Sequence, residues 1–262
     1  MSDTASADVS PAIPAATLVV FRRAPGGGAP ELLMVERSSA LVFAGGAAVF
    51  PGGRIDPADF ELARTLGDAD EDDLADSAAR IAAIRETLEE TGLVTGLTAP
   101  VDAAAARGAR ALLADVGELG IVLSAMDWTL DLQALVPFAR WRPDHAGMRN
   151  FDTRFYLTDL GKGAVEIAVD RTENTHLFWA TAQGALDLAD EGRIEVIFPT
   201  RRNLERLAQF GDFAAARAHV AQYPSRLITP QVVTNGKQRQ LCIPEDAGYP
   251  VTAEPLGSVR RA

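Results

Sequence analysis

Residues 85–92 read RETLEETG: three glutamates, one arginine and a closing glycine within a single short stretch. Such a string is either the solvated face of a charged helix or a set of carboxylates gathered around a cation. The helical pattern runs from Leu74 to Thr91, and Gly92 suits the left-handed cap that ends many helices. With Ile81 set at zero and about 100° added per residue, Leu74, Ala78, Ile84 and Leu88 fall within about 60° of it and form the buried stripe. Arg80, Thr87 and Thr91 fall at roughly 240–280° and are expected in solvent. Glu89, Glu86 and Glu90 fall near about 80°, 140° and 180°, so they share one flank.

Arg85 separates the two readings. It falls near about 40°, inside the edge of the apolar stripe. An unpaired guanidinium there is costly, and Glu89, one turn on, is placed to pair with it. Three like charges on one flank repel unless a cation lies among them. An all-oxygen set of this kind suits a hard ion such as Mg²⁺ or Mn²⁺.

Strands flank this helix in the sequence. ATLVVF (16–21) and ELLMVER (31–37) read as strands joined by the turn-rich APGGGAP, and AAVFPGG (47–53) as a third. The acidic stretch 56–73 reads as an inserted loop with a short helix. An Ala-rich helix is expected over 102–115. Strands return at 134–141, 151–160 and 176–180, followed by helices near 181–190 and 199–221. The last forty or so residues read as an irregular tail, with TPQVV and QLCIP as short strands. Strands and helices interleave without a regular βαβ rhythm, which predicts an α/β fold, an α/β/α sandwich with a mixed β-sheet. The whole chain, 1–262, reads as one domain, with its core at about 16–210, the insertion at about 56–73 and a C-terminal helix and tail at about 199–262.

Composition narrows the function. Of the 262 residues 47% are hydrophobic, enough for a sizeable core, and the net charge of −11 argues against a nucleic-acid partner. A phosphate-bearing ligand remains compatible if divalent cations lie between the two sets of negative charge. Cys242 is the only cysteine, which excludes an internal disulfide and a Cys-based metal site. The N-terminus lacks the basic start and apolar run of a signal peptide, and no apolar run nears the ~20 residues of a membrane span. A cytoplasmic protein without a membrane partner is expected. His145 and His176 read as polar loop or strand-edge residues, Trp128, Trp141 and Trp179 as core, and Cys242 as structural.

Arg85-Glu86-Thr87-Leu88-Glu89-Glu90-Thr91-Gly92-Leu93 resembles the second half of the Nudix box, G-x5-E-x7-R-E-U-x-E-E-x-G-U with U aliphatic. Phe50-Pro51-Gly52-Gly53 resembles the segment before it, with Gly53 as the first glycine. In the box, glycine and arginine lie fourteen positions apart, so here about eighteen residues are inserted. Counting eight back from Arg85 puts Ser77 where the box has its first glutamate, with Asp76 beside it. No metal role is assigned at this position, where Asp76 is the one adjacent acid that could substitute. Such an insertion looks like the Nudix branch that includes peroxisomal coenzyme A diphosphatases. Leu33 to Ser38, Gly46 and Phe50 to Gly53 also keep the spacing of the coenzyme A motif, with Val42 in place of its second arginine.

The resemblance implies a Nudix hydrolase that uses Mg²⁺ or Mn²⁺ to cut the pyrophosphate of a nucleoside diphosphate derivative. The implied substrate is coenzyme A or acyl-CoA. By the same resemblance Glu86, Glu89 and Glu90 hold metal, Arg85 orients Glu89, and Gly52 and Gly53 let backbone approach metal and phosphates. Glu173 is the candidate for a further metal carboxylate and Arg37 for a substrate-phosphate contact. A homodimer is also implied. The rivals are another nucleotide substrate, such as NADH or ADP-ribose, and a silent Nudix domain used for binding, which Ser77 would suit.

Overall fold

Strand β1 (Ile13–Arg22) is buried along most of its length, on both faces. That explains its unbroken apolar run: β6 (Phe151–Asp159) pairs with it in parallel, and helices cover the sheet on both sides. This is a computed structural model, and it describes residues 12–38, 46–67, 70–143, 150–160, 174–236 and 238–259. The other strands of the main sheet are β2 (Glu31–Arg37), β3 (Ala48–Val49), β4 (Gly52–Arg54), β5 (Val136–Trp141), β7 (Asn174–Thr181) and β8 (Leu227–Ile228). They run in the order β3-β2-β1-β6-β5-β8, with β4 on β1 and β7 on β2. The pairs β1–β6 and β5–β8 are parallel and the rest antiparallel, so the sheet is mixed.

Successive side chains on β1 enter different cores. Leu18 and Val20, with Leu33 and Tyr156, pack under α1 (Pro57–Thr65), α2 (Glu71–Thr91), α3 (Ala103–Val116) and α4 (Leu119–Met126). Val19 and Phe21, with Leu32, Met34 and Trp141, pack under α5 (Ala182–Asp190), α6 (Phe198–Leu207) and α7 (Phe213–Gln222). The expected α/β/α sandwich results. A second sheet, β9 (Gln231–Asn235), β10 (Gln238–Cys242) and β11 (Ala253–Pro255), follows, and Leu241, Ile243 and Tyr249 of this C-terminal part enter the second core. Trp141 is buried there and its Nε1 donates to the Tyr249 hydroxyl at 3.1 Å, a core role as expected. Among the described residues no helix is long and apolar enough to cross a membrane.

Four expectations need correction. The strand 47–53 is broken at Phe50-Pro51 into β3 and β4, because Pro51 has no N–H to continue a ladder and β4 moves to β1. The stretch 56–73 is less of a loop than expected: α1, opened by Pro57, is its short helix, and α2 already begins at Glu71 rather than Leu74, with Asp70 as its cap. The helix expected over 199–221 is two, interrupted near Gly211, after which Asp212 caps α7 by accepting from Ala215 N. Arg80, Thr87 and Thr91 are buried rather than solvated. Arg80 donates to the carbonyls of Leu132 and Leu135, and the two threonine hydroxyls donate to the helix's own carbonyls at Ala83 and Thr87. The wheel assumed one covered face, whereas α3 and the turn at Leu132–Ala134 cover α2 from another side.

Candidate active site at the end of helix α2

The C-terminal part of α2 lies over β4, and Gly92 ends the helix in the left-handed conformation with φ 73°. Arg85 sits on the buried side with its side chain only 5% exposed. Its guanidinium has five N–H bonds to donate, and the structure accounts for all of them. Nε donates to Asp59 Oδ1 at 3.1 Å, and Nη2 to Asp59 Oδ2 at 3.0 Å and to the Arg54 carbonyl at 2.9 Å. Nη1 donates to Glu86 Oε1 at 2.9 Å and Glu89 Oε2 at 3.2 Å. The expected pairing with Glu89 therefore forms, as one contact among several. Burial works against the charged guanidinium, but the Asp59 hydrogen bonds and the charges of Glu86, Asp59 and Asp56 outweigh it and raise its pKa.

Asp59 is the residue the sequence reading missed. It is buried, belongs to α1, and its Oδ2 also accepts from Asp56 N at 2.9 Å. It stands six residues after Gly53, where a forward count along the box places the first acid. The backward count from Arg85 crosses the insertion and lands on Ser77 instead. The insertion thus lies between Asp59 and Arg85, and the first acid is present as an aspartate. Asp76 is no substitute. It accepts from Arg80 Nε at 2.6 Å, the Tyr156 hydroxyl at 2.7 Å and Arg154 Nη1 at 3.2 Å. It also starts ten residues before Glu86, about 15 Å away along the helix axis.

Glu86, Glu89 and Glu90 come together on one flank. Burial, followed by the neighbouring charges of Glu90 and Glu89, pushes the Glu86 carboxyl up to about 8 against the opposing pull of Arg85. Glu90 is buried and its Oε2 accepts from Gly52 N at 3.0 Å. Gly53 gives Glu86 its room, because a Cβ at this glycine would overlap the Glu86 carboxylate and lie 2.6 Å from its Oε2. Gly53→Ala should therefore fold, since the displaced atoms end a side chain rather than belong to backbone. The activity that the resemblance implies is expected to fall on the order of 10²-fold, as an ångström-scale displacement in a site does. A melting curve beside a rate measurement tests this, and wild-type turnover would show that Glu86 is not needed where it stands.

The other expected site residues stand apart. Arg37 ends β2, is half-buried, and its Nε has no hydrogen-bond partner. Among the described residues no hydrogen bond or ion pair is seen to join it to the three glutamates. His176 is exposed and stacks on Phe178 with ring centroids 5.8 Å apart. Glu173 and His145 lie outside the described residues. Among the described residues no three acidic, imidazole or thiol groups form a ready cage for an ion. The donor chemistry nevertheless fits one: carboxylate oxygens only, on one helix flank, one raised in pKa by burial and then by its acidic neighbours, beside glycine backbone.

No family model matches the sequence. The chain is 25% identical over 227 residues to a Caenorhabditis elegans protein named as a nudix hydrolase, across 84% of this chain and 70% of that one. The crystal structure of a NUDIX hydrolase from Alicyclobacillus acidocaldarius has a TM-score of 0.67 to this fold at 28% identity, over 79% of this chain and 96% of that one.

Proposed function

We propose, since this chain belongs to the Nudix hydrolase superfamily and is a hydrolase of that type, that it cleaves the pyrophosphate linkage of coenzyme A or an acyl-CoA with Mg²⁺ or Mn²⁺. The observation that carries the site is the fully used guanidinium of Arg85. It ties α1 and the end of β4 to α2, and it fixes Glu86 and Glu89 from the buried side. Glu90 is fixed separately by Gly52 N. Glu86 and Glu89 thus share one guanidinium, and Glu90 has a backbone donor of its own. Glu86, Glu89 and Glu90 are the ligands we assign, Arg85 orients Glu86 and Glu89, and Gly52 and Gly53 admit the pyrophosphate close to backbone. Glu173 is proposed as a further ligand and Arg37, whose Nε lacks a partner, as a phosphate contact.

A divalent cation held by these carboxylates would supply two things, neutralisation of charge on the phosphate oxygens and a lower pKa for the attacking water. Water adds to one phosphorus as that phosphorus loses its bond to the bridging oxygen. From coenzyme A the products would be 4′-phosphopantetheine and adenosine 3′,5′-bisphosphate. Support for this substrate is the spacing from Leu33 to Ser38, through Gly46, to Phe50-Pro51-Gly52-Gly53. The silent-domain reading rested on Ser77, and Asp59 in the first-acid place removes that ground.

Product analysis on coenzyme A, acyl-CoA, NADH, ADP-ribose and diadenosine polyphosphates, with Mg²⁺ and with Mn²⁺, tests the reading. Turnover is expected to be fastest on coenzyme A or an acyl-CoA. Turnover of another member with coenzyme A uncut would overturn the substrate. No turnover of any member, in a folded protein, would overturn the catalytic reading.

A further inference from the structure

Helix α2 ends against an electrostatic rule. Its last turn carries Glu89 and Glu90, with Glu86 just before, and holds no basic residue. A helix C-terminus already bears about half a negative charge on its unsatisfied carbonyls, so carboxylates there are unfavourable and a cation is wanted. The carbonyls show where that cation comes from. Leu88 O accepts from Gly92 N at 2.9 Å, which is the helix's own closure. Glu89 O accepts from Arg110 Nε at 2.9 Å and from Arg110 Nη2 at 2.7 Å, and Glu90 O accepts from Arg110 Nη2 at 3.1 Å.

Arg110 belongs to α3. Asp102 caps that helix by accepting from Ala105 N at 2.8 Å, and Ala106, Ala109 and Leu113 bury its inner face. The guanidinium also lies over Gly92, where an added Cβ would stand 3.4 Å from Nη1. One side chain from a separate helix thus grips the backbone of two neighbouring glutamates.

We propose that Arg110 is a positioning residue for Glu89 and Glu90. Its guanidinium clamps their carbonyl oxygens and supplies the positive charge that the end of α2 lacks, so that the two carboxylates are presented at a fixed spacing. The proposal rests on the reading of these glutamates as cation ligands. Partners that orient ligands from behind typically change metal affinity or activity by about 10–100-fold when removed.

The test is Mn²⁺ binding to the full chain without substrate, by calorimetry, together with kcat and KM. Arg110→Ala is compared with Arg110→Lys, with Glu89→Gln and with Arg107→Ala, which removes the same charge from an exposed position of α3. Arg110→Ala should weaken Mn²⁺ binding on the order of tenfold and lower kcat similarly, with KM little changed. Arg110→Lys, which retains a charge and can reach one carbonyl, should recover part of both, and Arg107→Ala should resemble wild type. If Arg110→Lys and every folded Arg110→Ala sample bind Mn²⁺ like wild type, Arg110 is a helix cap only and the proposal is wrong, whatever the melting temperature does. An equal loss in Arg107→Ala would also overturn it, leaving only a general charge effect. If wild type binds Mn²⁺ no better than Glu89→Gln, the ligand reading beneath the proposal fails instead.

Discussion

Arg85→Ala is expected to destabilise the protein by about 3–5 kcal/mol, the range for breaking a buried pair by removing one partner. Most of that cost comes from what is left behind. The Asp59 side chain is 2% exposed and loses both guanidinium bonds, keeping Asp56 N as a donor. The Arg54 carbonyl loses its Nη2 donor, and Glu86 and Glu89 lose the charge that offsets their repulsion. Arg85→Lys should recover only part, because a compact ammonium cannot span Asp59, Arg54 O and two glutamates at once. A cycle with Asp59→Ala separates pairing from packing. The double variant should be more stable than the sum of the single losses predicts, by up to about 3 kcal/mol. Denaturant unfolding without added metal measures all four proteins. Additive losses, or a loss below about 1 kcal/mol in Arg85→Ala, would show that the Asp59–Arg85 pair does not hold α1 to α2.

How far the sequence reached depended on the distance over which information had to travel. The inward aim of Arg85 and the common flank of the glutamates were legible because both follow from helical period within one element. Asp59 was not, since 26 residues separate it from Arg85, and only a count forward from Gly53 could have located it. The acidic character of 56–73 left its short helix without bounds, although Asp56-Pro57 is a helix start and Ala63 gives it a buried contact. Thr87 and Arg80 were misplaced because a wheel describes one helix and not the layer around it. The apolar pattern of 199–221 continues across a Gly211-Asp212 break that its period does not register. Arg110 could not be assigned at all, because its partners are carbonyl oxygens and leave no trace in side-chain chemistry.

Glu90→Gln should lower kcat by on the order of 10² or more while leaving the fold almost unchanged. The glutamine keeps an amide oxygen to accept from Gly52 N, so the contact that fixes this side chain to the 52–53 turn survives. What it loses is the negative charge, which a hard cation needs from an oxygen ligand far more than a neutral N–H does. Glu90→Ala is the contrasting variant. It removes charge and acceptor together and strands the Gly52 N–H, which should add about 1–3 kcal/mol of instability to the same loss of rate. Melting curves taken with and without millimolar Mn²⁺ make the distinction sharper. Wild type should be stabilised by the ion, and Glu90→Gln should have nearly the same melting temperature without it and a smaller gain with it. If Glu90→Gln turns over substrate at the wild-type rate, the carboxylate serves only to hold Gly52, and the ligand set must be drawn from Glu86, Glu89 and residues beyond α2.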